Sequence, residues 1–345
     1  MSFKEEKSHS PRNGPSVKIL TYNIFMRLVG CSASGIGDCK TARLRAFARH
    51  VLPEYDIVCL QEMFGAPRIL TAGRRALLLR QAKKCGFKYV MKSPFPTLWK
   101  GRFLDGGCVI LSKFPIEETS KLEYDDAIVQ DSLASKGVIH ARVKISKKSS
   151  LNVFVTHLQA AYHYPASKEE ARVQKKQLQQ LCKFVKLTMK SNPSPIIVLG
   201  DFNIDAFQNE ENALYTFMVN SFDQIDATNK IRDLIRESHD GKSPPTTVPY
   251  LFNKETGEEY SLGSNIETET GPRLPSPSFI KENLSKLSLR PQALDYAFLF
   301  DRGQKLQIRA RVQEFRMKDV DKTKTYPFFY LSDHFGLGVD LRFQN

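Results

Sequence analysis

Ile196-Ile197-Val198-Leu199-Gly200-Asp201-Phe202-Asn203 is a short apolar run that ends in a glycine, a carboxylate and an amide. It is too short for a helix, rich in β-branched residues and introduced by Pro193 and Pro195, so it reads as a strand buried on both faces. Gly200 lets the backbone turn at the strand's C-terminal end. With a side-chain period of two, Asp201 and Asn203 are expected to point the same way from the sheet edge. A carboxylate and an amide placed together suit a hard cation, water and phosphate oxygens. Asp and Asn are also ordinary turn residues, and in isolation the stretch reads as a turn.

The chain has 345 residues, 41% hydrophobic and 26% charged, enough for one large α/β domain or two small ones. Its formal net charge of +14 calls for a partner carrying negative charge: nucleic acid, an anionic membrane surface or a phosphorylated substrate. The six cysteines show no metal-binding spacing. Cys59 and Cys108 sit in apolar runs as buried thiols, while Cys31 and Cys39 flank a Gly/Ser-rich loop and are expected reduced. Residues 1–16 read as a disordered polar leader without the apolar core of a signal peptide. No apolar run approaches the roughly 18 residues that span a bilayer, so a soluble or peripheral membrane protein, cytoplasmic by default, is expected.

Outward from residues 196–203, further strands read at Val17–Phe25, Asp56–Leu60, 106–112, 137–145, 151–158, 294–300, 307–315 and 335–343. Helices read at about Thr41–Leu52, stopped by Pro53, at Arg68–Cys85, capped by Gly86, and near Asn209–Phe222. Ser167 to Lys190 is the clearest helix, opened by a Ser167/Glu170 capping box. Met91–Phe103 interleaves Phe95, Trp99 and Phe103 with basic residues and prolines and reads as a loop. Residues 241–291 lack periodicity and read as an irregular surface insertion. Helical connections between some strands and hairpin-like turns between others predict an α/β fold, a four-layer α/β/β/α sandwich of two mixed sheets with helices outside, as one domain over residues 17–345.

Asn23, Glu62, His157, Asp201, Asn203, Asp295, Asp333 and His334 each lie at or beside the end of a strand-like run. One such residue is ordinary, and a lone strand histidine is commonly a satisfied core residue. Eight spread over six strands point to a site gathered at the sheet ends. Carboxylates, amides and two histidines without a thiolate cluster favour Mg²⁺ or Mn²⁺ over zinc. Neither a phosphate-binding Gly-x-x-x-x-Gly-Lys-Ser/Thr loop nor a Gly-x-Ser-x-Gly elbow is present, which leaves metal-assisted hydrolysis of a phosphate ester.

In their order, Asn23, Gln61-Glu62, Thr156-His157, Gly200-Asp201-Phe202-Asn203, Leu294-Asp295-Tyr296 and Ser332-Asp333-His334 resemble the endonuclease/exonuclease/phosphatase superfamily, with its DNase I-like fold. Three stretches are similar to neutral sphingomyelinases within it: Asp131-Ser132-Leu133-Ala134-Ser135-Lys136-Gly137, residues 106–116, and Thr156-His157-Leu158-Gln159-Ala160 with the Gln-rich helix after Pro165. The resemblance implies Mg²⁺-dependent hydrolysis of sphingomyelin to ceramide and phosphocholine, with Mn²⁺ or Co²⁺ as substitutes. It implies Glu62, Asn23 and Asp333 on the metal side and Asp295 orienting His334 as the base. Asp201 and Asn203 would position the nucleophile, His157 would donate to a phosphate oxygen, and Asp131 with Lys136 would organise the site. Phe95, Trp99 and Phe103 would meet a membrane surface with anionic lipids, or else cap the fold. A nuclease, a phosphoinositide phosphatase and a non-catalytic lipid-binding relative are the alternatives, and the net charge is the nuclease's best argument.

Overall fold

The computed structural model describes residues 14–28, 39–65, 71, 73–96, 101–163, 165–191, 193–207, 213–226, 230–256, 259–261, 277–326 and 328–344. In chain order its strands are β1 (Ser16–Asn23), β2 (Ile57–Gln61), β3 (Tyr89–Lys92), β4 (Leu104–Asp105), β5 (Val109–Ser112), β6 (Ile116–Glu123), β7 (Ala134–Ser135), β8 (Gly137–Lys144) and β9 (Ser150–His157). They continue as β10 (Ile196–Asp201), β11 (Arg232–Asp233), β12 (Tyr250–Asn253), β13 (Glu259–Ser261), β14 (Leu287–Arg290), β15 (Asp295–Phe300), β16 (Leu306–Gln313) and β17 (Gly336–Phe343).

Two six-stranded mixed sheets form, ordered β16-β17-β1-β2-β5-β3 and β11-β15-β10-β9-β8-β6. Alternate residues of the strands explain how they stack. Val17, Ile19, Ile57, Cys59 and Ile110 of the first sheet share one core with Ile139, Val153, Val155, Ile197 and Leu199 of the second. On the far side of the first sheet, Leu20, Tyr22, Val58 and Leu60 pack with Leu44 and Phe47 and with Leu78 of the helix Arg74–Lys84. On the far side of the second, Phe154, Val198 and Phe298 meet Leu178 and Leu181 of the helix Lys168–Ser191 and Met218 and Phe222 of the helix Ala213–Asp223. Both faces of each sheet are covered, so the central strands are apolar throughout rather than alternating. This is the expected α/β/β/α sandwich.

Register places the site. β1 runs parallel to β2 with Asn23 opposite Gln61, and β10 runs parallel to β9 with Asp201 opposite His157. β15 runs antiparallel to β10, so its first residue, Asp295, sits opposite Asp201. One rim of the sandwich therefore collects the ends of β1, β2, β9 and β10 and the start of β15.

Several expectations need correction. Gly200 does not make the turn: it lies inside β10 at φ +143°, where a Cβ would collide with the Thr156 carbonyl of β9. The turn comes at Asn203, whose φ is +53°, so the alternation ends at Asp201 and the two polar side chains do not project as a strand pair. The helix begun at Lys40 continues past Ala46 through a wider turn and a tighter last one to Glu54, with Pro53 inside rather than after it. Ser16 belongs to β1 and not to a leader. β6 carries Glu117, Glu118, Lys121 and Glu123 at a sheet edge, and its charge hid it from an apolar pattern search. Residues 241–291 are not wholly irregular, because β12, β13 and β14 form a three-stranded sheet there. Trp99 and Cys31 lie outside the described residues.

Candidate active site at the sheet rim

Asn23 stands at the centre of the rim. Its Nδ2 lies 2.9 Å from Asp201 Oδ2, 3.3 Å from Glu62 Oε1 and 3.5 Å from His334 Nε2, and its side chain is fully buried. A single amide thus joins the ends of the two sheets. Its Oδ1 accepts from the Phe25 amide, and its carbonyl accepts from Ser332 Oγ, which fixes the approach of the Ser332-Asp333-His334 segment.

Glu62 follows β2 in a left-handed backbone conformation at φ +57°, uncommon for a residue with a Cβ and a mark of functional sites. Arg27 Nε holds its Oε2 at 2.9 Å. Burial raises the Glu62 pKa, and the Arg27 charge more than offsets this, bringing it down to about 2. Gln61 instead donates to Thr21 Oγ1 inside the first sheet.

His334 Nδ1 lies 2.8 Å from Asp295 Oδ2, and the same carboxylate oxygen accepts from Thr246 Oγ1 at 2.8 Å. Burial alone would lower the His334 pKa, but the carboxylates of Asp295 and Asp201 prevail and hold it up at about 10. Asp201, 3.8 Å from His334 Nε2, is pushed up to about 7 by burial, against the pull of His334. Asp333 is buried beside them, hydrogen-bonded to Ser332 Oγ at 3.1 Å and also raised by burial.

The second sheet supplies the other wall. Lys136 is 2% exposed, with Nζ 2.8 Å from Asp131 Oδ2, 2.9 Å from the Leu158 carbonyl and 3.1 Å from His157 Nε2. Burial and then the Lys136 charge drive the His157 pKa well down, so the imidazole is neutral. Its Nε2 lies between the Lys136 ammonium and, at 3.5 Å, Asp201 Oδ2, while Nδ1 is a buried atom without a hydrogen-bond partner among the described residues. Asn203 Nδ2 donates to the same Leu158 carbonyl at 3.1 Å, while its amide is held by Asp201 Oδ1 at 2.9 Å.

Every predicted residue from Asn23 to His334 is therefore brought to the rim, in two linked groups. Phe95 and Phe103 are not part of it; they are 92% and 57% exposed. Sequence reading missed Arg27 and Thr246. Thr246 accepts from the Leu294 and Asp295 amides and lies in the stretch expected to be an irregular insertion; the pair Pro244-Pro245 before it, which enforces extended backbone, is its one mark in the sequence.

The donor set fits a hard divalent cation. Four buried carboxylates, Glu62, Asp201, Asp295 and Asp333, converge there, the oxygen-rich donor set that such a cation takes. Ligand atoms of Asp201, Asp295 and His334 lie within 4.8 Å of one another. Asp295 and His334 are already committed to each other, however, so that trio reads better as a His–Asp pair beside a carboxylate than as a ready ligand set.

A four-layer sandwich whose rim joins carboxylates, amides and a His–Asp pair defines a class of metal-assisted phosphoester enzymes. The chain matches the model described as the Endonuclease/Exonuclease/phosphatase family over residues 20–254, and it belongs to that family. Asp295, Asp333 and His334 lie beyond the matched range and reach the rim through β15 and the approach to β17. The chain is 27% identical to a sphingomyelinase of Dictyostelium discoideum, over 86% of this chain and 73% of that one. It is 25% identical to sphingomyelinase C of Bacillus cereus over 59% of this chain and 61% of the relative. Among solved structures, a variant of the beta toxin of Staphylococcus aureus with bound magnesium ions superposes with a TM-score of 0.59 at 18% identity, covering 94% of this chain and 99% of that one, which confirms the fold. No described helix is long and apolar enough to cross a membrane.

Proposed function

We propose that this protein is a Mg²⁺-dependent phosphodiesterase that hydrolyses sphingomyelin to ceramide and phosphocholine. The observation that carries the reading is the Lys136 ammonium, buried between Asp131 and His157 at one wall of the rim and opposite the His334–Asp295 pair. Similarity to two sphingomyelinases supports the choice of lipid.

In this reading a water attacks phosphorus in line with the ceramide oxygen. His334 takes the water's proton through Nε2, while Asp295 holds Nδ1–H and stabilises the imidazolium that forms. Asp201 and Asn203 place the water, and the buried Lys136 charge, held by Asp131 and His157, offsets the charge gained by the phosphate oxygens. The P–O bond to ceramide breaks, its alkoxide takes up a proton from solvent, and the His334 imidazolium returns its proton to solvent. Glu62, with Asn23 and Asp333 beside it, would hold Mg²⁺, which would supply Lewis acidity to the phosphate ester and lessen the negative field that holds the His334 pKa up.

The +14 charge favours one other reading, a nuclease of the same family. Purified protein with Mg²⁺ is given sphingomyelin vesicles and, in parallel, abasic and single-stranded DNA. Release of phosphocholine that is lost in His334→Ala and in EDTA is expected; DNA cleavage without phosphocholine release would sink the lipid reading.

A further inference from the structure

The loop that carries Glu62 is held from below by a buried carboxylate that touches none of the reacting groups. Asp105 is 2% exposed. Its Oδ1 accepts from the Gly65 amide at 2.8 Å and from the Gly107 amide at 3.0 Å, and its own amide donates to the Gly65 carbonyl at 3.3 Å. Met63 donates to the Gly107 carbonyl at 2.9 Å, so residues 63–65 and 105–107 are laced together on both sides of Asp105. The remaining oxygen, Oδ2, is ion-paired to Arg75 on the helix Arg74–Lys84. The fit is tight: a Cβ on Gly65 would run into the Arg75 guanidinium, and one on Gly107, at φ +71°, would press on Phe64 and the Glu62 backbone.

Asp105 also reaches the opposite wall. It ends β4, which pairs in parallel with β7, Leu104 opposite Ala134 and Asp105 opposite Ser135. Lys136 is the next residue along, and the Phe103 amide donates to the Leu133 carbonyl at 2.9 Å. One short two-stranded sheet therefore ties the turn bearing Glu62 to the segment bearing Asp131 and Lys136. Glu62 needs such a tie, because its left-handed backbone persists only where its surroundings enforce it.

We propose that Asp105, neutralised by Arg75, is a positioning residue that sets the affinity of the Glu62 cation site and couples it to the Lys136 wall. The inference rests on the reading of Glu62 as the cation-holding carboxylate. Arg75 gives the buried Asp105 carboxylate its charge partner, and the two amides that Asp105 holds transmit the constraint to Glu62.

The test compares wild type, Asp105→Asn and Asp105→Ala. Asn keeps an acceptor for the Gly65 and Gly107 amides and loses the Arg75 charge; Ala loses both. Mg²⁺ binding is measured by calorimetry on protein shown to be folded by circular dichroism, and the Mg²⁺ dependence of phosphocholine release is measured beside it. Asp105→Ala should weaken Mg²⁺ binding roughly 10- to 100-fold, the range for groups that orient metal ligands, and Asp105→Asn by less. The Mg²⁺ concentration for half-maximal rate should rise in parallel, with KM for sphingomyelin at saturating Mg²⁺ little changed. If Asp105→Ala does not fold, Asp105→Asn decides. Folded Asp105→Asn with wild-type Mg²⁺ binding, even if its melting temperature falls, overturns the inference, and so does loss of one whole Mg²⁺ equivalent, which would make Asp105 a ligand. A wild type that binds Mg²⁺ and leaves sphingomyelin intact overturns the proposed function alone, and the calorimetric ratio still decides the role of Asp105.

Discussion

At the scale of single residues, the His334–Asp295 pair depends on a threonine marked in the sequence only by the Pro244-Pro245 pair before it. Thr246 Oγ1 donates to Asp295 Oδ2 and accepts from the Leu294 and Asp295 amides, so it fixes both the carboxylate and the strand end beneath it. Thr246→Val keeps the shape and leaves one carboxylate lone pair and two amides without a partner. A hydrogen bond to a charged group is worth about 1.5–3 kcal/mol, so turnover should fall roughly 10- to 100-fold. Steady-state rates at saturating Mg²⁺ check this, and a Thr246→Ser variant should recover most of the loss. An unchanged rate in Thr246→Val would mean that Asp295 is held adequately by His334 alone. Asp295 and His334 were legible because each sits beside an apolar run. Thr246 was not, because its neighbours in space, residues 293–295, are distant in sequence.

At the scale of elements, the helix Lys168–Ser191 shows what local sequence encodes completely. Ser167 Oγ accepts from the Glu170 amide at 3.3 Å and Glu170 Oε2 accepts from the Ser167 amide at 2.7 Å, the reciprocal pair expected from the sequence. Glu170 does more than cap. Its Oε1 also accepts from the Tyr162 amide at 2.8 Å and lies 3.0 Å from His163 Nδ1, anchoring the chain that arrives from His157. Burial raises the Glu170 pKa, but these hydrogen bonds outweigh it and bring it down to about 2. A carboxylate with a depressed folded-state pKa adds stability that is present above its unfolded value near 4.5 and is lost as pH falls through about 2. Glu170→Gln should therefore melt lower than wild type at pH 7, with a cost of about 1 kcal/mol, or roughly 1–2 °C in a chain of this size. The gap should close as the pH approaches 2, and calorimetric melts across that range test it; a gap independent of pH would assign the effect to packing. Met91 and Lys92, expected in a loop, belong to the short strand β3, and two further groups of strands carry no core periodicity. β6 is a charged edge strand, and β12, β13 and β14 pair only with one another, so neither bears the mark of the common core.

At the scale of the whole molecule, the sandwich explains why strand ends distant in sequence work together. The sequence made the layers legible because buried strands and amphipathic helices each advertise their faces. It could not show that Asn23 would bridge the two sheets, since that contact spans 178 residues to Asp201. Phe95 and Phe103 remain exposed, and Phe103 leads directly into β4 and Asp105. Large apolar side chains left in water beside basic residues suit an anionic lipid surface, where each Lys or Arg adds about 1 kcal/mol of attraction that salt screens. Removing both rings, in Phe95→Ala/Phe103→Ala, takes away apolar area worth about 1.5–3 kcal/mol per ring when buried, so vesicle binding should weaken at least roughly 10-fold. Hydrolysis of a soluble short-chain substrate should be spared, and binding of wild type to anionic vesicles should fall as ionic strength rises. Co-sedimentation with vesicles and rates on the two substrates separate the outcomes. Equal loss on vesicles and on the soluble substrate would show that the rings instead brace β4, and through it the Glu62 turn.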